Sequence, residues 1–326
     1  MHPAFSVIFL TTLIGAGQGL FLALFTGQLY STVRLVEQQP SSFYAVGSAL
    51  SLALLVGGLA ASFFHLGRPE RAWRAAAMWR TSWLSREVIV LPAMMGLVFL
   101  YGVFHWAGWT QPWLVLGEGA LTIDATFVLG MLGVLVALVL FVSTGMIYAS
   151  VKFLQEWSSP YTIANFIFLG TASGFMLAAA YSALIGNNLV SFFGTWAVIA
   201  TLLGLGTRSA SLMRNATLKH RSNLQTAIGV RHRGIVQKSQ GFSADSFNTR
   251  EFFHHQSLRT LKLIRVAFLI LVFPVPIMLV LLGYQLQSTT LPILAFAIQY
   301  LGLLAERWYF FAEAQHPQNL YYQQVS

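Results

Sequence analysis

The chain has 326 residues, of which 56% are apolar, 14% are aromatic and only 9% are charged, with a formal net charge of +9 at pH 7. So high an apolar fraction excludes an ordinary soluble domain and indicates an integral membrane protein. The sequence has no cysteine, which excludes disulfides, thiolate-held iron–sulfur clusters and covalently attached c-type haem on these residues.

Eight apolar segments are each long enough to cross a hydrocarbon core as a helix, which takes roughly 20 residues. They are continuously apolar rather than alternating, which favours helices over a β-barrel. The predicted spans are residues 5–30, 42–66, 87–108, 124–149, 160–186, 189–207, 263–285 and 290–313. We therefore expect an all-α integral membrane protein with a single membrane domain over residues 1–326. Pro274 and Pro276 predict a kink in the seventh span.

The distribution of basic residues predicts which side of the membrane each loop occupies. With eight spans both termini share one face, and 18 of the 19 Lys and Arg residues lie on that face, against Arg34 on the other. Without the longest loop the ratio is still 7 to 1. Because cytoplasmic loops carry an excess of Lys and Arg, both termini are predicted to be cytoplasmic. The same rule, together with anionic lipid, accounts for the net charge without a nucleic-acid partner.

The longest connection, residues 208–260, is predicted to be a cytoplasmic loop. Its composition is too mixed for a polybasic lipid-binding tail, and it is too long for a simple connector. We interpret it as a docking surface for a soluble partner, with a solvated basic loop as the alternative. His254 and His255 are expected to be surface residues of this loop.

Between the second and third spans the sequence reads FFHLGRPERAWRAAAMWRTSWLSRE, with five arginines and three tryptophans. Ionisable groups near bilayer depth are costly, so His65 and Glu87 at its two ends are functional candidates. A quinone site needs access from lipid, hydrogen-bond donors to two carbonyls and a titratable relay for two protons. Histidine, glutamate, arginine and tryptophan supply these functions. The alternative is an ordinary basic, aromatic loop at the membrane interface.

Two other functions are less favoured by the sequence. A bis-histidine haem needs two histidines at one depth, whereas His65 and His105 are predicted at opposite faces, and His2 lies at a terminus. A transporter is expected to have polar or broken helices near the membrane midplane, paired between internal repeats. The sequence shows no clear repeat and no convincing acid or base at the midplane.

The motif HLGxPxRAW, followed by Ser-x-Glu, resembles the membrane-anchor subunits of dimethyl-sulfoxide-reductase-type molybdoenzymes. The matching residues are His65, Leu66, Gly67, Pro69, Arg71, Ala72, Trp73, Ser85 and Glu87. The tail AERWYFFAEAQHPQNLYY and the loop segment IVQKSQGFSADSFNTREFF resemble one branch of this family, the anchors of cytoplasmic sulfite:quinone oxidoreductases, also called sulfite dehydrogenases. The resemblance covers essentially the whole chain.

The resemblance implies a complex of three subunits. A molybdenum catalytic subunit and a four-cluster iron–sulfur subunit would dock on an anchor that binds ubiquinone or menaquinone and holds no metal, haem or cluster. In such anchors the motif histidine and glutamate are implicated at the quinone site. The predicted quinone site therefore comprises His65, Gly67, Arg68, Arg71, Trp73 and Glu87, with Glu306 and Tyr309 as a candidate proton relay.

The sequence thus predicts a quinone-binding anchor of a molybdenum and iron–sulfur sulfite dehydrogenase in a bacterial inner membrane. The charge distribution places its catalytic partners on the cytoplasmic side. An anchor that oxidises quinol for a reductase of dimethyl sulfoxide, tetrathionate or polysulfide is the alternative, because the substrate is chosen at a metal that another subunit carries.

Overall fold

The structure is a bundle of long helices with one small β-hairpin. The computed structural model describes residues 5–116, 121–219, 223–232, 234–235 and 257–314. The helices are α1 (Phe5–Thr32), α2 (Ser41–Phe63), α3 (Trp83–Trp106), α4 (Ala125–Ala149), α5 (Pro160–Leu184), α6 (Val190–Ala216), α7 (Leu224–Ile228), α8 (Leu258–Val272), α9 (Pro274–Gln285) and α10 (Thr290–Glu313). A 3-10 helix, Pro69–Met78, lies between α2 and α3, and antiparallel strands β1 (Leu114–Leu116) and β2 (Leu121–Ile123) lie between α3 and α4.

Within the described residues, seven helical stretches are long and apolar enough to cross a membrane. They are α1 to α6 and the stretch Arg259–Gln285, which combines α8 and α9. The chain is therefore an all-helical, multi-pass membrane protein. Helix α10 fills the eighth predicted segment, but three charged residues near its C-terminal end make it less apolar than the other seven. The total of eight spans stays a prediction.

The predicted kink in the seventh span is confirmed as a break between α8 and α9. Helix α8 ends at Val272 and α9 begins at Pro274, with Phe273 between them. Proline lacks an N–H group and its ring clashes with the preceding turn, so a continuous helix cannot pass through it unchanged.

Helices α1 and α5 form the centre of the bundle, and α2, α4, α6 and α10 pack around them. Their backbones approach closely at Gly19 and Gly174. A Cβ added at Gly174 would lie only 1.9 Å from the carbonyl carbon of Gly19 and 2.2 Å from the amide nitrogen of Leu20. Only glycine permits this approach, as in other membrane helix pairs that use small residues.

Two capping residues fix where α3 and α4 begin. The Ser82 hydroxyl accepts a hydrogen bond from the Ser85 amide at 3.3 Å, and a carboxylate oxygen of Asp124 accepts one from the Phe127 amide at 2.7 Å. Such caps satisfy amide groups that have no partner within the helix. Because α3 begins at Trp83 and not at 87, Glu87 lies in the second turn of the helix.

Helix α6 extends to Ala216, well past the predicted end of the sixth span at 207. The predicted docking loop 208–260 therefore begins inside a helix, and its far end overlaps the start of α8. Within it, the short helix α7 is capped by Asn223. His2, the pair His254 and His255, and the sequence after 314 lie outside the described residues.

Candidate functional site

The basic segment, residues 64–82, lies on the surface between the end of α2 and the start of α3. None of the residues in its 3-10 helix is buried, and Trp73 is 70% exposed. Arg71 forms a loose ion pair with Glu70, with Nε and Oε1 3.9 Å apart. The Arg74 guanidinium lies 5.6 Å from the centre of the Trp73 ring. This arrangement suits the membrane interface, where basic and aromatic side chains are both stable.

His65 lies in the turn that follows α2, where its amide donates to the Ser62 carbonyl at 3.3 Å. Its side chain is on the surface, but partial desolvation lowers the pKa of the imidazole below its ordinary value of 6.5. At neutral pH His65 is therefore uncharged and offers one donor and one acceptor. The predicted site residues Gly67 and Arg68 are also exposed, and nothing lies within 4 Å of a Cβ added at Gly67.

Arg86 attaches the basic segment to α3. Its Nε donates to the Trp79 carbonyl at 3.0 Å, and its Nη2 donates to the Arg80 carbonyl at 2.9 Å. The guanidinium also lies 4.0 Å from the centre of the Trp83 ring, a favourable cation–π distance. Arg86 was not among the predicted site residues, although it is the middle residue of the Ser-x-Glu motif.

Glu87 points into the bundle and is only 7% exposed. Its Oε1 accepts a hydrogen bond of 2.5 Å from the hydroxyl of Thr144 on α4. His65 stays on the surface, so the structure does not join these two predicted site residues directly. Thr144 was not among the predicted site residues either, because a single threonine in an apolar span has no distinguishing pattern.

An apolar groove lies between α3 and α4, and its lining includes the sequence neighbours of Glu87 and Thr144 but neither of these two residues. We name it the α3–α4 groove. It has a volume of about 320 Å³ and is lined mainly by Trp83, Arg86 and Val90 of α3 and by Leu138, Val139 and Val142 of α4. Ser143 also lines it, and the next residue along α4 is the hydrogen-bond partner of Glu87. The groove therefore offers a lipid-soluble ring a place between α3 and α4, one residue along each helix from Glu87 and Thr144.

The predicted relay residue Glu306 lies in a buried charge cluster near the end of α10. Its Oε1 is 2.9 Å from Nε of Arg208 on α6, and its Oε2 is 3.6 Å from Nε of Arg307. Nη1 of Arg208 is also 3.7 Å from Oε2 of Glu313. Two arginines and two glutamates thus balance one another, which is the condition for keeping such charges out of water.

Arg208 does not begin a loop, because it lies within α6 and its side chain is fully buried. The predicted span ended just before this first charge, whereas the helix continues to Ala216, and Glu306 compensates the charge of Arg208. The partner lies far along the chain, so no local pattern reveals it. Tyr309, the other predicted relay residue, lies in the same place, with its ring 5.9 Å from the Arg208 guanidinium.

A small cavity of about 20 Å³, with more apolar than polar surface, lies between Arg307 of the charge cluster and Thr144. Thr144 and Arg307 both line this cavity, together with Thr11, Gly15, Gln18 and Ser173 from the central helices α1 and α5. The cavity is large enough for about one water molecule, which needs roughly 10–15 Å³.

A separate polar pocket of about 360 Å³ lies at the other end of α3. Its lining includes Gln28, Tyr44, His105 and Asp124. His105 is about 27 Å from Glu87 along the helix, at 1.5 Å per residue. The buried residues Leu91, Met94 and Val98 lie between them. Over the part of the chain that the structure describes, no three His, Asp or Glu side chains are grouped to hold a metal ion.

The chain matches a sequence model of the protein family described as DMSO reductase anchor subunit (DmsC) over residues 1–312. It is also 66% identical to a sulfite dehydrogenase subunit of Allochromatium vinosum over 326 residues, which is 100% of each chain. Both similarities agree with the resemblance carried by the motif from His65 to Glu87. They extend over the helices that form the groove and the charge cluster.

Proposed function

Because the chain belongs to the DMSO reductase anchor subunit family, we propose that it is the quinone-binding membrane anchor of a sulfite dehydrogenase. The name of its Allochromatium vinosum relative supports sulfite as the substrate of the complex. Electrons from sulfite would leave a molybdenum cofactor on a catalytic subunit and pass through iron–sulfur clusters on a second subunit. They would then reduce ubiquinone or menaquinone bound to this chain.

The α3–α4 groove is the observation that carries the quinone proposal. Its walls are almost entirely apolar, and its volume of about 320 Å³ lies within the range of small-molecule sites. The lining of the groove includes Arg86 and Ser143, the sequence neighbours of the hydrogen-bonded pair Glu87 and Thr144. An apolar ring with two carbonyl groups requires this combination of a lipophilic slot and polar groups at one edge.

The residues around the groove would have distinct roles. Trp83 and Arg86 form its wall on α3, and Glu87 is placed to supply a proton. His65, in the turn that follows α2, would serve as a hydrogen-bond donor to a quinone carbonyl. The remaining predicted site residues, Gly67, Arg68, Arg71 and Trp73, lie in the exposed basic segment, where a bound partner subunit or lipid would cover them.

The proposed topology has eight spans, with α10 as the eighth and both termini in the cytoplasm of a bacterial cell. The excess of basic residues on one face supports this orientation in the inner membrane. On that face lie the basic segment and the loop that follows α6. We propose that the iron–sulfur subunit docks there, with the molybdenum subunit attached to it.

The test is to compare quinone reduction with sulfite oxidation in the complex purified through a tag on this chain. His65→Ala and Glu87→Gln should abolish sulfite-driven reduction of a short-chain ubiquinone, since each removes a group that the quinone needs. Both variants should retain sulfite oxidation with an artificial soluble acceptor, because that reaction ends before the anchor. Wild-type quinone reduction in both would show that the site lies elsewhere.

An anchor that oxidises quinol for a reductase is the second candidate, and the description of the matching family favours it. The same purified complex separates the two. A sulfite dehydrogenase reduces quinone when sulfite is added. A reductase oxidises a short-chain quinol when dimethyl sulfoxide, tetrathionate or polysulfide is added.

A further inference from the structure

We propose that the pocket of about 360 Å³ around His105 binds the zwitterionic head group of a phospholipid. Such a head group is a phosphate ester that carries an ammonium group, as in phosphatidylethanolamine. His105 lies about 27 Å from Glu87 along α3, at 1.5 Å per residue, so this site is distinct from the proposed quinone site. Neither site depends on the other.

His105 is the side chain that points to a ligand in this pocket. It lines the pocket but is only 4% exposed, and neither ring nitrogen has a hydrogen-bond partner among the described residues. Its ring is stacked on that of Tyr44, with centroids 4.7 Å apart, and meets the Tyr101 ring edge-on at 4.6 Å. Buried polar groups are almost always hydrogen-bonded, and a neutral imidazole has one donor and one acceptor. The pocket is therefore suited to a polar molecule that bonds to His105.

Asp124 supplies a fixed negative charge to the same pocket. Its Oδ1 accepts hydrogen bonds from the Phe127 amide and the Thr126 hydroxyl, both at 2.7 Å. The Thr126 hydroxyl accepts in turn from Nε2 of Gln28 at 2.7 Å, and Oε1 of Gln28 accepts from the Tyr101 hydroxyl at 2.8 Å. Both of these bonds to Asp124 reach one oxygen, whereas a carboxylate has about four acceptor sites. Asp124 is therefore held in place and can still accept from an ammonium group.

Arg34 supplies the opposite charge, and it lines the pocket together with Asp124, Ser41 and Thr110. A simple anion would be attracted by Arg34 and repelled by Asp124, and a simple cation would meet the reverse. A phosphate with an attached ammonium group carries both charges and so matches both side chains, because guanidinium groups bind phosphate and carboxylates bind ammonium groups. The phosphate oxygens would also accept a hydrogen bond from the His105 ring.

The rim of the pocket indicates that the head group comes from the lipid bilayer. Trp106, Trp109 and Trp113 are largely exposed, and each is the sequence neighbour of a residue that lines the pocket. Tryptophan is enriched at the membrane–water interface, where its ring lies at the depth of lipid head groups. A head group can therefore occupy the polar pocket while its acyl chains stay beside these tryptophans.

Titration calorimetry with water-soluble dihexanoyl phosphatidylethanolamine tests the site in the complex purified through a tag on this chain, in dodecyl maltoside. We expect the wild type to bind one lipid per copy of this chain. Binding should be about tenfold or more weaker in Asp124→Asn and in His105→Phe, because each variant loses a group that bonds to the charged ligand.

Both substitutions are chosen to preserve the fold. Asparagine caps a helix about as well as aspartate, so Asp124→Asn keeps the start of α4 and removes only the charge. Phenylalanine at position 105 keeps the ring contacts with Tyr44 and Tyr101 and removes the two nitrogens. Glu37→Gln is the matched control, because Glu37 is an exposed acid that does not line the pocket, and its lipid binding should equal that of the wild type.

Two further ligands separate the parts of the proposal. Dihexanoyl phosphatidylglycerol has a phosphate but no ammonium group, and binding as tight as that of phosphatidylethanolamine would overturn the role of Asp124. Glycerophosphoethanolamine has the whole head group but no acyl chains, and equally tight binding would overturn the bilayer as its source. No binding by the wild type, or undiminished binding by either variant, would overturn the site. If His105→Phe does not assemble, Asp124→Asn alone decides the matter.

Discussion

Arg208 is the largest fully buried side chain in the described structure, and Glu306 and Glu313 compensate its charge. We predict that Arg208→Ala destabilises the protein by about 3–5 kcal/mol, because it leaves Glu306 as a buried charge without its nearest partner. Thermal unfolding in detergent, monitored by circular dichroism, measures this loss of stability.

Arg71→Ala is the matched control for Arg208→Ala. Arg71 is half-exposed and lies 3.9 Å from an exposed Glu70, so its removal should change the free energy of unfolding by at most about 1 kcal/mol. Equal stability of the two variants would contradict the importance assigned to the buried charge cluster.

Individual residues were predictable from the sequence where their chemistry contrasts with their surroundings. Glu87 and Glu306 are acids in apolar segments, and the motif around His65 is recognisable. Thr144 was not predictable, because threonine is common in apolar helices. Arg208 was assigned to a loop, whereas it lies in α6, where it is buried and paired with Glu306 on α10. The sequence could not show which residues on distant helices contact one another in the site.

At the scale of helices, the contact between α1 and α5 gives the sharpest prediction. Gly174→Ala should prevent correct packing of these helices, because its Cβ would overlap the backbone of Gly19. Overpacking typically lowers the free energy of unfolding by about 1–3 kcal/mol. Because the added Cβ would clash with backbone atoms, we expect a loss at or above the upper end of this range. The measurement is the fraction of protein that remains monodisperse in detergent on gel filtration.

Gly96→Ala is the control for this packing test, since nothing lies within 4 Å of a Cβ at Gly96 on α3. It should be as monodisperse as the wild type. Normal packing of Gly174→Ala would mean that α1 and α5 lie further apart than the structure places them.

Helices were largely predictable from apolar length, whereas their ends were not. The apolar run of the second span includes Leu66, but α2 ends at Phe63, which leaves His65 in a turn. The start of α3 depends on the cap at Ser82, and α6 continues for eight residues past Arg208, to Ala216. The hairpin of β1 and β2 has strands of only three residues, too short for a recognisable alternating pattern.

At the scale of the whole molecule, two polar regions lie toward opposite ends of α3. Glu87, the cavity and the charge cluster lie toward one end of the bundle, and the pocket around His105 lies at the other. Leu91, Met94 and Val98 of α3 are buried between them. Proton uptake from one side only is the arrangement that this separation favours.

We therefore predict that sulfite-driven quinone reduction in sealed vesicles is independent of an imposed membrane potential. Electrons and protons would enter the anchor from the same side, so no net charge would cross the membrane. The rate is measured with and without a potassium diffusion potential set by valinomycin. Strong inhibition by the potential would show that charge does cross, and would point to a connection through the pocket of His105.

The buried pair of Arg208 and Glu306 also sets an order for the synthesis and insertion of the protein. A ribosome that adds about 5–20 residues per second reaches Glu306 roughly 5–20 s after Arg208. For that interval the nascent α6 holds a charge without a counter-ion, and α10, with its own acids and arginine, is poorly suited to enter lipid alone. The last helix would therefore complete the domain by pairing with a helix inserted earlier. A chain truncated before α10 would lack Glu306 and Glu313, the ion-pair partners of Arg208, a feature by which cellular proteases could distinguish unfinished copies from complete ones.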